Sequence, residues 1–447
     1  MDFAGKINKI NSLQAIQLLR FGTFLLISII FANSSVATED IGYYELSLFI
    51  ASAVSFFWVT GIIQSLLPLY NNNKTFGKHS SGNRGKSAEI FNAFLVLSVF
   101  SLMAFIFCLI FQRSFYLFDG VKDISFMNLV FIYILLSNPG HLVEYVYLLR
   151  NKSEEMLIYG FWSFGLQLLL VTVPVLSGYP IEYAVKGLIL ISVIRLFWLG
   201  VLMKRYSMLK FSASFVREHF ALGMPLIISS LLSGSAQYID GIIVSGSFDA
   251  ASFAVFRFGA KELPLVLLLA NGLSNAMLPE FSGAGKVKAA LSTIKKRSKR
   301  LMHMLFPIST ILLFFSKVLY IAMFGERFSR SADIFMVYLL LIISRLVFPQ
   351  TILIGLKRTR IILGASFVVI VLNVSLSLYM MQYYGMVGVA VATAIVFLLE
   401  KIMLILYNYF IIKIKPGEYI PVATYIFYTF LIVLVFVLLD HRIIRLH

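Results

Sequence analysis

Charged residues are scarce in this sequence. Asp, Glu, Lys and Arg make up 13% of its 447 residues, whereas about 25% is usual for a soluble domain. Hydrophobic residues make up 60%. Because a helix satisfies its own backbone hydrogen bonds in lipid, this composition predicts an all-α polytopic membrane protein.

Residues that hold metals, disulfides or phosphate loops are also few or dispersed. The sequence has one cysteine, Cys108, which excludes an internal disulfide framework. Its six histidines are scattered and do not cluster with carboxylates at metal-ligand spacing. A glycine-rich phosphate-binding loop is absent from the sequence as well. We therefore expect neither a cofactor nor ATP hydrolysis.

Long apolar runs account for most of the chain and predict 12 or 13 transmembrane helices. They fall into two sets of six, separated by a basic stretch and followed by one more run. The predicted domains are an N-terminal six-helix lobe, a basic cytoplasmic linker, a C-terminal six-helix lobe and an additional transmembrane helix, at residues 1–203, 204–217, 218–412 and 413–447.

Basic residues explain the formal net charge of +17 without a nucleic-acid partner. With the N-terminus in the cytoplasm, roughly four Lys or Arg lie in predicted cytoplasmic segments for each one on the opposite side, as the positive-inside rule requires. The sequence therefore predicts a cytoplasmic N-terminus and a thirteenth helix that ends on the outer side.

The two sets of runs share short motifs in the same order. Gly61–Pro68 (GIIQSLLP) matches Gly272–Pro279 (GLSNAMLP), and Tyr179 begins a stretch that aligns with the one at Tyr384. This pattern indicates a duplicated six-helix unit. Such a duplication predicts a substrate site between the halves and transport by alternating access.

Among the cations inside predicted spans, four are candidates for substrate binding, because a charge there is costly unless it faces a protein interior or a wet cavity. They are Arg20, Arg257, Lys261 and Arg345. Arg257 and Lys261 are four residues apart, so a continuous helix over 250–279 would place them on one face. Because guanidinium and ammonium groups bind phosphate oxygens, we predict that all four contact an anionic substrate.

A structural role is the alternative for these charges. Asp240 could pair with Arg257, and Lys261 with Glu262. Asp240 and Glu144 are candidates either for ion coupling or for structural ion pairs. Arg195 is expected to extend its charge to the membrane interface. Helix-breaking residues inside the spans are candidate hinges, with Pro264 preferred among Pro139, Pro225, Pro264 and Pro349.

Several motifs together resemble the multidrug/oligosaccharidyl-lipid/polysaccharide (MOP) exporter superfamily, and within it the Wzx-type flippases. They are Gly42-Tyr43-Tyr44, G-x-x-Q-x-x-x-P at Gly61–Pro68, G-M-P-L at Gly223–Leu226 followed by Asp240, and Y-G-x-x-G-x-A-x-A-T at Tyr384–Thr393. The resemblance covers roughly residues 5–412. It implies a V-shaped, two-lobed, MATE-like bundle in the bacterial inner membrane.

The resemblance also implies a function and partners. The expected substrate is an undecaprenyl-pyrophosphate-linked oligosaccharide for O-antigen (lipopolysaccharide), capsule or exopolysaccharide. The expected partners are membrane lipids and, in the same pathway, a polysaccharide polymerase and glycosyltransferases.

Three other functions stay open. A cation-coupled multidrug exporter of the same superfamily would favour acidic residues in its cavity, and a lipid II flippase would usually have a longer chain. A membrane glycosyltransferase would carry a large catalytic outer loop, but the longest predicted outer loop, Arg113–Ile124, is short. We therefore expect a transporter rather than an enzyme.

Overall fold

A computed structural model gives the fold and describes residues 9–76, 86–115, 124–281, 287–356, 358 and 360–440. Most of the predicted outer loop at 113–124 and the end of the chain at 441–447 lie outside these ranges. Throughout the described residues the protein is helical, with a single bridge pair, Ser87–Ser207, in place of any strand. The predicted fold class is confirmed.

The chain divides into two compact units. Unit 1 is Met1–Tyr238 with Ser245–Ala254, and unit 2 is Ile239–Val244 with Val255–His447. This division groups helices by packing and does not test the duplication, so the lobe boundaries at 203, 218 and 412 stay predictions.

Unit 1 is built from nine helices and parts of two more. The nine are α1 (Lys9–Ala32), α2 (Thr38–Phe76), α3 (Ala88–Ile110), α4 (Gln112–Phe115), α5 (Met127–Gly140), α6 (Leu142–Leu149), α7 (Ser153–Leu176), α8 (Glu182–Tyr206) and α9 (Ala213–Gly234). Helices α10 (Ala236–Ser247) and α11 (Ala250–Gly259) contribute residues to both units.

Unit 2 contains the remaining helices. They are α12 (Pro264–Phe281), α13 (Val287–Phe324), α14 (Ser329–Leu339), α15 (Ile342–Arg345), α16 (Pro349–Gly355), α17 (Arg360–Phe410), α18 (Pro416–Tyr419) and α19 (Val422–Asp440). A short 3₁₀ turn at Glu326–Phe328 precedes α14.

Within the described ranges, nine helices are long and apolar enough to cross a membrane, or ten if the bent pair Glu326–Arg345 and Pro349–Gly355 forms one span. This number is lower than the predicted 12 or 13 for two reasons. First, α17 joins two predicted spans across a kink at Gly385, whose φ of 57° and ψ of −139° are not helical and suit a residue without a Cβ atom. Second, the apolar runs at 218–246 and 250–279 are each divided into shorter helices.

Two motif glycines allow close backbone packing inside unit 1. A Cβ atom on Gly61 would lie 2.6 Å from the backbone nitrogen of Ile227, where α2 packs along α9. A Cβ atom on Gly42 would lie 1.9 Å from the carbonyl oxygen of Ala250, at the start of α11. These two glycines therefore have a steric role, since any side chain would push the backbones apart.

Helices are interrupted at corresponding places in the two predicted halves. In the first half, the interruption is a one-residue turn at His141, between α5 and α6 after Pro139-Gly140; its φ of −59° and ψ of −23° stay helical, so Met127–Leu149 remains one span. The fourth run of the second half is divided at residues 346–348, between α15 and α16, before Pro349. Charged side chains lie beside both interruptions.

Candidate functional site

The interruption in unit 1 lies beside a buried ion pair. Glu144 is in the first turn of α6, and Arg20 on α1 donates a hydrogen bond from Nη2 to Glu144 Oε1. The Arg20 side chain is 32% exposed and the Glu144 side chain 7%. An unpaired carboxylate at this depth would be costly, so Arg20 neutralises Glu144 while part of its guanidinium stays accessible.

Arg195 on α8 extends the same cluster. Its Nε donates to Ser163 Oγ and its Nη2 to Gln167 Oε1, both at 2.7 Å. The guanidinium of Arg195 lies 5.0 Å from the ring centroid of Phe164, and that of Arg20 lies 5.6 Å from the same ring. Two arginines therefore approach one aromatic ring in the interior of unit 1.

The expectation that Arg195 extends to the membrane interface is wrong. Its two acceptors, Ser163 and Gln167, are four residues apart on α7 and so lie on one helix face. The sequence does show a serine and a glutamine at helical spacing within an apolar run, which indicates that they need a polar partner. It did not indicate which helix would supply their donor.

In unit 2, the predicted continuous helix over 250–279 is wrong. Helix α11 ends at Gly259 and α12 begins at Pro264, so Arg257 and Lys261 do not share one helical face. The residue before a proline is disfavoured in helical geometry, and glycine is a weak helix former. Together these two residues explain why the helix stops here.

The charges around this interruption are held by different partners. Lys261 Nζ lies 5.0 Å from the ring centroid of Phe258 and 6.0 Å from that of Phe324. Arg257 lies in the last turn of α11 and is only partly exposed. Both cations thus flank the interruption, one on each side of the end of α11.

The carboxylate of Glu262 binds Arg345, not Lys261. Arg345 Nε donates to Glu262 Oε2 at 2.9 Å, and Arg345 Nη2 donates to Glu262 Oε1 at 2.6 Å. This two-pronged geometry is the strongest form of an arginine–carboxylate pair. Because Arg345 ends α15 and Glu262 lies between α11 and α12, the pair joins the two interrupted helices of unit 2.

Asp240 is the centre of a buried network in unit 2. It accepts hydrogen bonds from Tyr338 Oη at 2.6 Å, Thr393 Oγ1 at 2.6 Å and Asn373 Nδ2 at 3.3 Å. The Ser377 hydroxyl in turn donates to Asn373 Oδ1 at 3.2 Å. Carboxylate, amide and hydroxyl oxygens therefore come together at one place, which is the ligand set preferred by hard cations.

The partners of Asp240 were not predicted from the sequence. Thr393 is the last residue of the motif that begins at Tyr384, and Asn373 and Ser377 are four residues apart on α17. Each of these polar residues is visible in the sequence, but only the fold shows that their side chains meet at Asp240. In the described part of the chain, no three His, Cys, Asp or Glu side chains cluster as metal ligands.

No protein-family model and no curated protein matches this sequence. Solved structures do resemble the fold. The lipid II flippase MurJ in an inward closed conformation is 15% identical, with a TM-score of 0.67 over 97% of this chain and 94% of that one. An inward-facing MATE multidrug resistance transporter of the MOP superfamily is 14% identical, with a TM-score of 0.61 over 90% of this chain and 93% of that one.

A third structure is a MOP superfamily transporter from Pyrococcus furiosus, for which a reversed polarity of the binding pocket suggests a different function. It is 13% identical, with a TM-score of 0.54 over 90% of this chain and 94% of that one. At these identities the comparisons establish the fold and leave the Wzx-type resemblance a prediction. The chain is a multi-pass helical membrane protein with the fold of the lipid II flippase MurJ and the MATE transporters of the MOP superfamily.

Proposed function

We propose that this protein is a flippase that moves undecaprenyl-pyrophosphate-linked oligosaccharide units, as for O-antigen, capsule or exopolysaccharide, across the bacterial inner membrane. The observation that carries the proposal is the presence of a partly buried arginine, paired with a carboxylate, beside a helix interruption in each unit. Arg20 lies beside the interruption at His141, and Arg345 lies at the interruption after α15. The likeness of the fold to flippases and exporters supports transport rather than enzymatic chemistry.

The arginine pairs suit a ligand that carries more negative charge than a carboxylate. A pyrophosphate offers several oxygens to the guanidinium fork, and it can displace the single carboxylate partner of Arg20 or Arg345. Arg257 and Lys261 add cations next to the second interruption. In this proposal the carboxylates of Glu144 and Glu262 neutralise the arginines until the substrate's phosphates replace them.

Asp240 is proposed as the coupling site. Its network offers carboxylate, amide and hydroxyl oxygens from α10, α14 and α17, which would hold a monovalent cation or a proton. A cation there would tie α10 to two other helices of unit 2. Glu144 is assigned the structural alternative, because Arg20 is its partner.

Two other functions are supported by particular observations. The MurJ likeness has the highest TM-score of the three structures described above, which favours a lipid II flippase. The MATE likeness favours a multidrug exporter, but Arg257 and Lys261 next to the second interruption would repel cationic drugs. The Pyrococcus furiosus transporter is described as having a pocket of reversed polarity, so this fold does accommodate pockets of different charge.

The test is restoration of surface glycan in cells that lack their own oligosaccharide flippase. Wild-type protein should restore it, and the Arg257→Ala/Lys261→Ala and Arg20→Gln variants should not, at matched protein levels. The control is Lys152→Ala/Lys186→Ala, which removes two exposed cations from unit 1. The same proteins are also expressed in cells depleted of their lipid II flippase and in drug-sensitive cells.

Each outcome selects one function. Glycan restored by wild type and the control alone supports the proposed cationic site. Rescue only of the lipid II-depleted cells would assign lipid II as substrate, and drug resistance without glycan would assign export. Restoration by every variant would make these cations structural.

A further inference from the structure

A groove lies at the start of two neighbouring helices of unit 2. Lys295, Lys296 and Lys299 on α13 form one wall, and Gly417 with residues 420–424 at the start of α19 forms the other. Its volume is about 530 Å³, within the range of small-molecule sites. Lys295 Nζ donates to the Gly417 carbonyl at 2.5 Å, so the two walls are joined.

Helices α13 and α19 leave this groove in the same direction. After the contact between Lys295 and Gly417, His303 Nδ1 forms a hydrogen bond with Tyr428 Oη at 2.9 Å. The ring of Tyr428 also stacks on Phe306 at 5.4 Å. The apolar parts of both helices therefore begin at the level of the three lysines.

The surface below the groove is apolar. Phe427 and Phe430 on α19 are 62% and 66% exposed, and Ile311 on the neighbouring α13 is also exposed. A molecule bound in the groove thus meets cations at one end and hydrocarbon side chains at the other. This arrangement fits an amphiphile with an anionic head and apolar tails.

We propose that the groove binds the headgroup of an anionic phospholipid in the cytoplasmic leaflet, with its acyl chains along α19. Lysines next to a membrane attract anionic lipids, and the N-terminus of α19 adds partial positive charge. The side follows from the positive-inside prediction. The proposal does not depend on which substrate the protein transports.

The groove lining distinguishes a phospholipid from a lipid-linked glycan. Besides lysines, the lining residues are aliphatic or carry hydroxyl groups, as with Ser292 and Thr424. The described lining has no aromatic ring, carboxylate or carboxamide, the groups that commonly hold sugar rings. A phosphate on a small headgroup satisfies the lysines without requiring such contacts.

Binding is measured with the full-length protein in detergent, by native mass spectrometry with phosphatidylglycerol as the probe and phosphatidylcholine as the neutral reference. The groove variant replaces all three lysines by Gln. The matched control removes the same number of cations from parts of α13 that do not line the groove: Lys288→Gln, Arg297→Gln and Arg300→Gln. Melting temperature in phosphatidylcholine checks that each variant is folded.

At about 1 kcal/mol for each lysine, the groove variant should bind its first phosphatidylglycerol about a hundredfold more weakly than wild type, and the control should change less than about twofold. If the groove variant fails to fold, Lys296→Gln/Lys299→Gln, which keeps the contact between Lys295 and Gly417, should still weaken binding about thirtyfold. Equal weakening by groove and control variants would mean diffuse attraction and overturn the proposal. So would displacement of phosphatidylglycerol by micromolar farnesyl diphosphate, since it would assign the groove to a polyprenyl diphosphate.

Discussion

The ion pair between Arg345 and Glu262 can be removed in two ways that have different consequences for stability. Glu262→Gln leaves the guanidinium of Arg345 without its carboxylate, whereas Arg345→Met/Glu262→Leu removes both charges and keeps similar volumes. Breaking one side of a fully buried pair costs about 3–5 kcal/mol, but replacing the whole pair by apolar residues is often neutral. The two variants therefore separate the cost of an orphaned charge from the worth of the pair.

The size of the effect follows from the exposure of the two side chains. Arg345 is 24% exposed and Glu262 17%, so part of the charge of Arg345 is solvated and the cost of Glu262→Gln falls to about 2 kcal/mol. For a unit of roughly 200 residues this is a decrease in Tm of about 4–8 °C. The double variant should melt within about 2 °C of wild type.

Transport should show the opposite order from stability. The double variant is stable but has no guanidinium for the substrate's phosphates, so it should fail to restore surface glycan. Thermal melting of purified protein in detergent and the glycan assay are run on the same preparations. The single variants Arg345→Met and Glu262→Leu complete the cycle with wild type and the double variant. Additive changes in Tm, or full glycan restoration by the double variant, would refute the reasoning.

Three further predictions concern packing, the unit 1 cluster and the coupling site. Gly61→Ala should destabilise the protein by about 1–3 kcal/mol, seen as a lower Tm. Its repeat counterpart Gly272 has nothing within 4 Å of a Cβ atom, so Gly272→Ala should stabilise it by about 0.5–1 kcal/mol. An equal change in Tm for the two variants would contradict the close packing at Gly61. Arg195→Lys should destabilise the protein by about 1–2 kcal/mol, because one ammonium nitrogen cannot occupy the positions of the two guanidinium nitrogens that bond Ser163 and Gln167. The melting temperature tests this, and an unchanged Tm would count against it. Asp240→Asn and Thr393→Val should each abolish any rise in Tm caused by NaCl relative to choline chloride, and a retained rise would place the cation elsewhere.

The sequence was informative where one property repeats along a single helix. Five predicted spans lie within a few residues of α1, α3, α7, α8 and α19, in that order: the apolar runs at 12–33, 88–112, 156–177, 182–203 and 421–440. They agree because burial in lipid requires an uninterrupted apolar segment. Helix-breaking residues also had physical consequences: α12 begins at Pro264 and α16 at Pro349. What the sequence did not show was whether such a residue bends a helix or divides it.

Partners that belong to different helices were harder to predict. Because Lys261 is next to Glu262 in the sequence, it was the candidate partner of that carboxylate. The actual partner is Arg345, 83 positions away. The three donors to Asp240 come from α14 and α17, far along the chain. Propensity and periodicity describe one helix at a time, so they identify polar residues that need partners without identifying the partners.

The ion pairs explain how buried charge and interrupted helices can coexist in a stable membrane protein. An interruption frees backbone groups that lipid cannot satisfy, so it must be buried in protein or open to a wet cavity. Arg345 holds a carboxylate beside such an interruption, and Arg20 holds one beside the one-residue turn at His141, so the charges at both places are compensated. Under the proposed function, a pyrophosphate that takes over either arginine would also release the carboxylate that fixes that interruption. Substrate binding and helix movement would then be one event, because the residue that recognises the phosphate is also the residue that holds the broken helix in place.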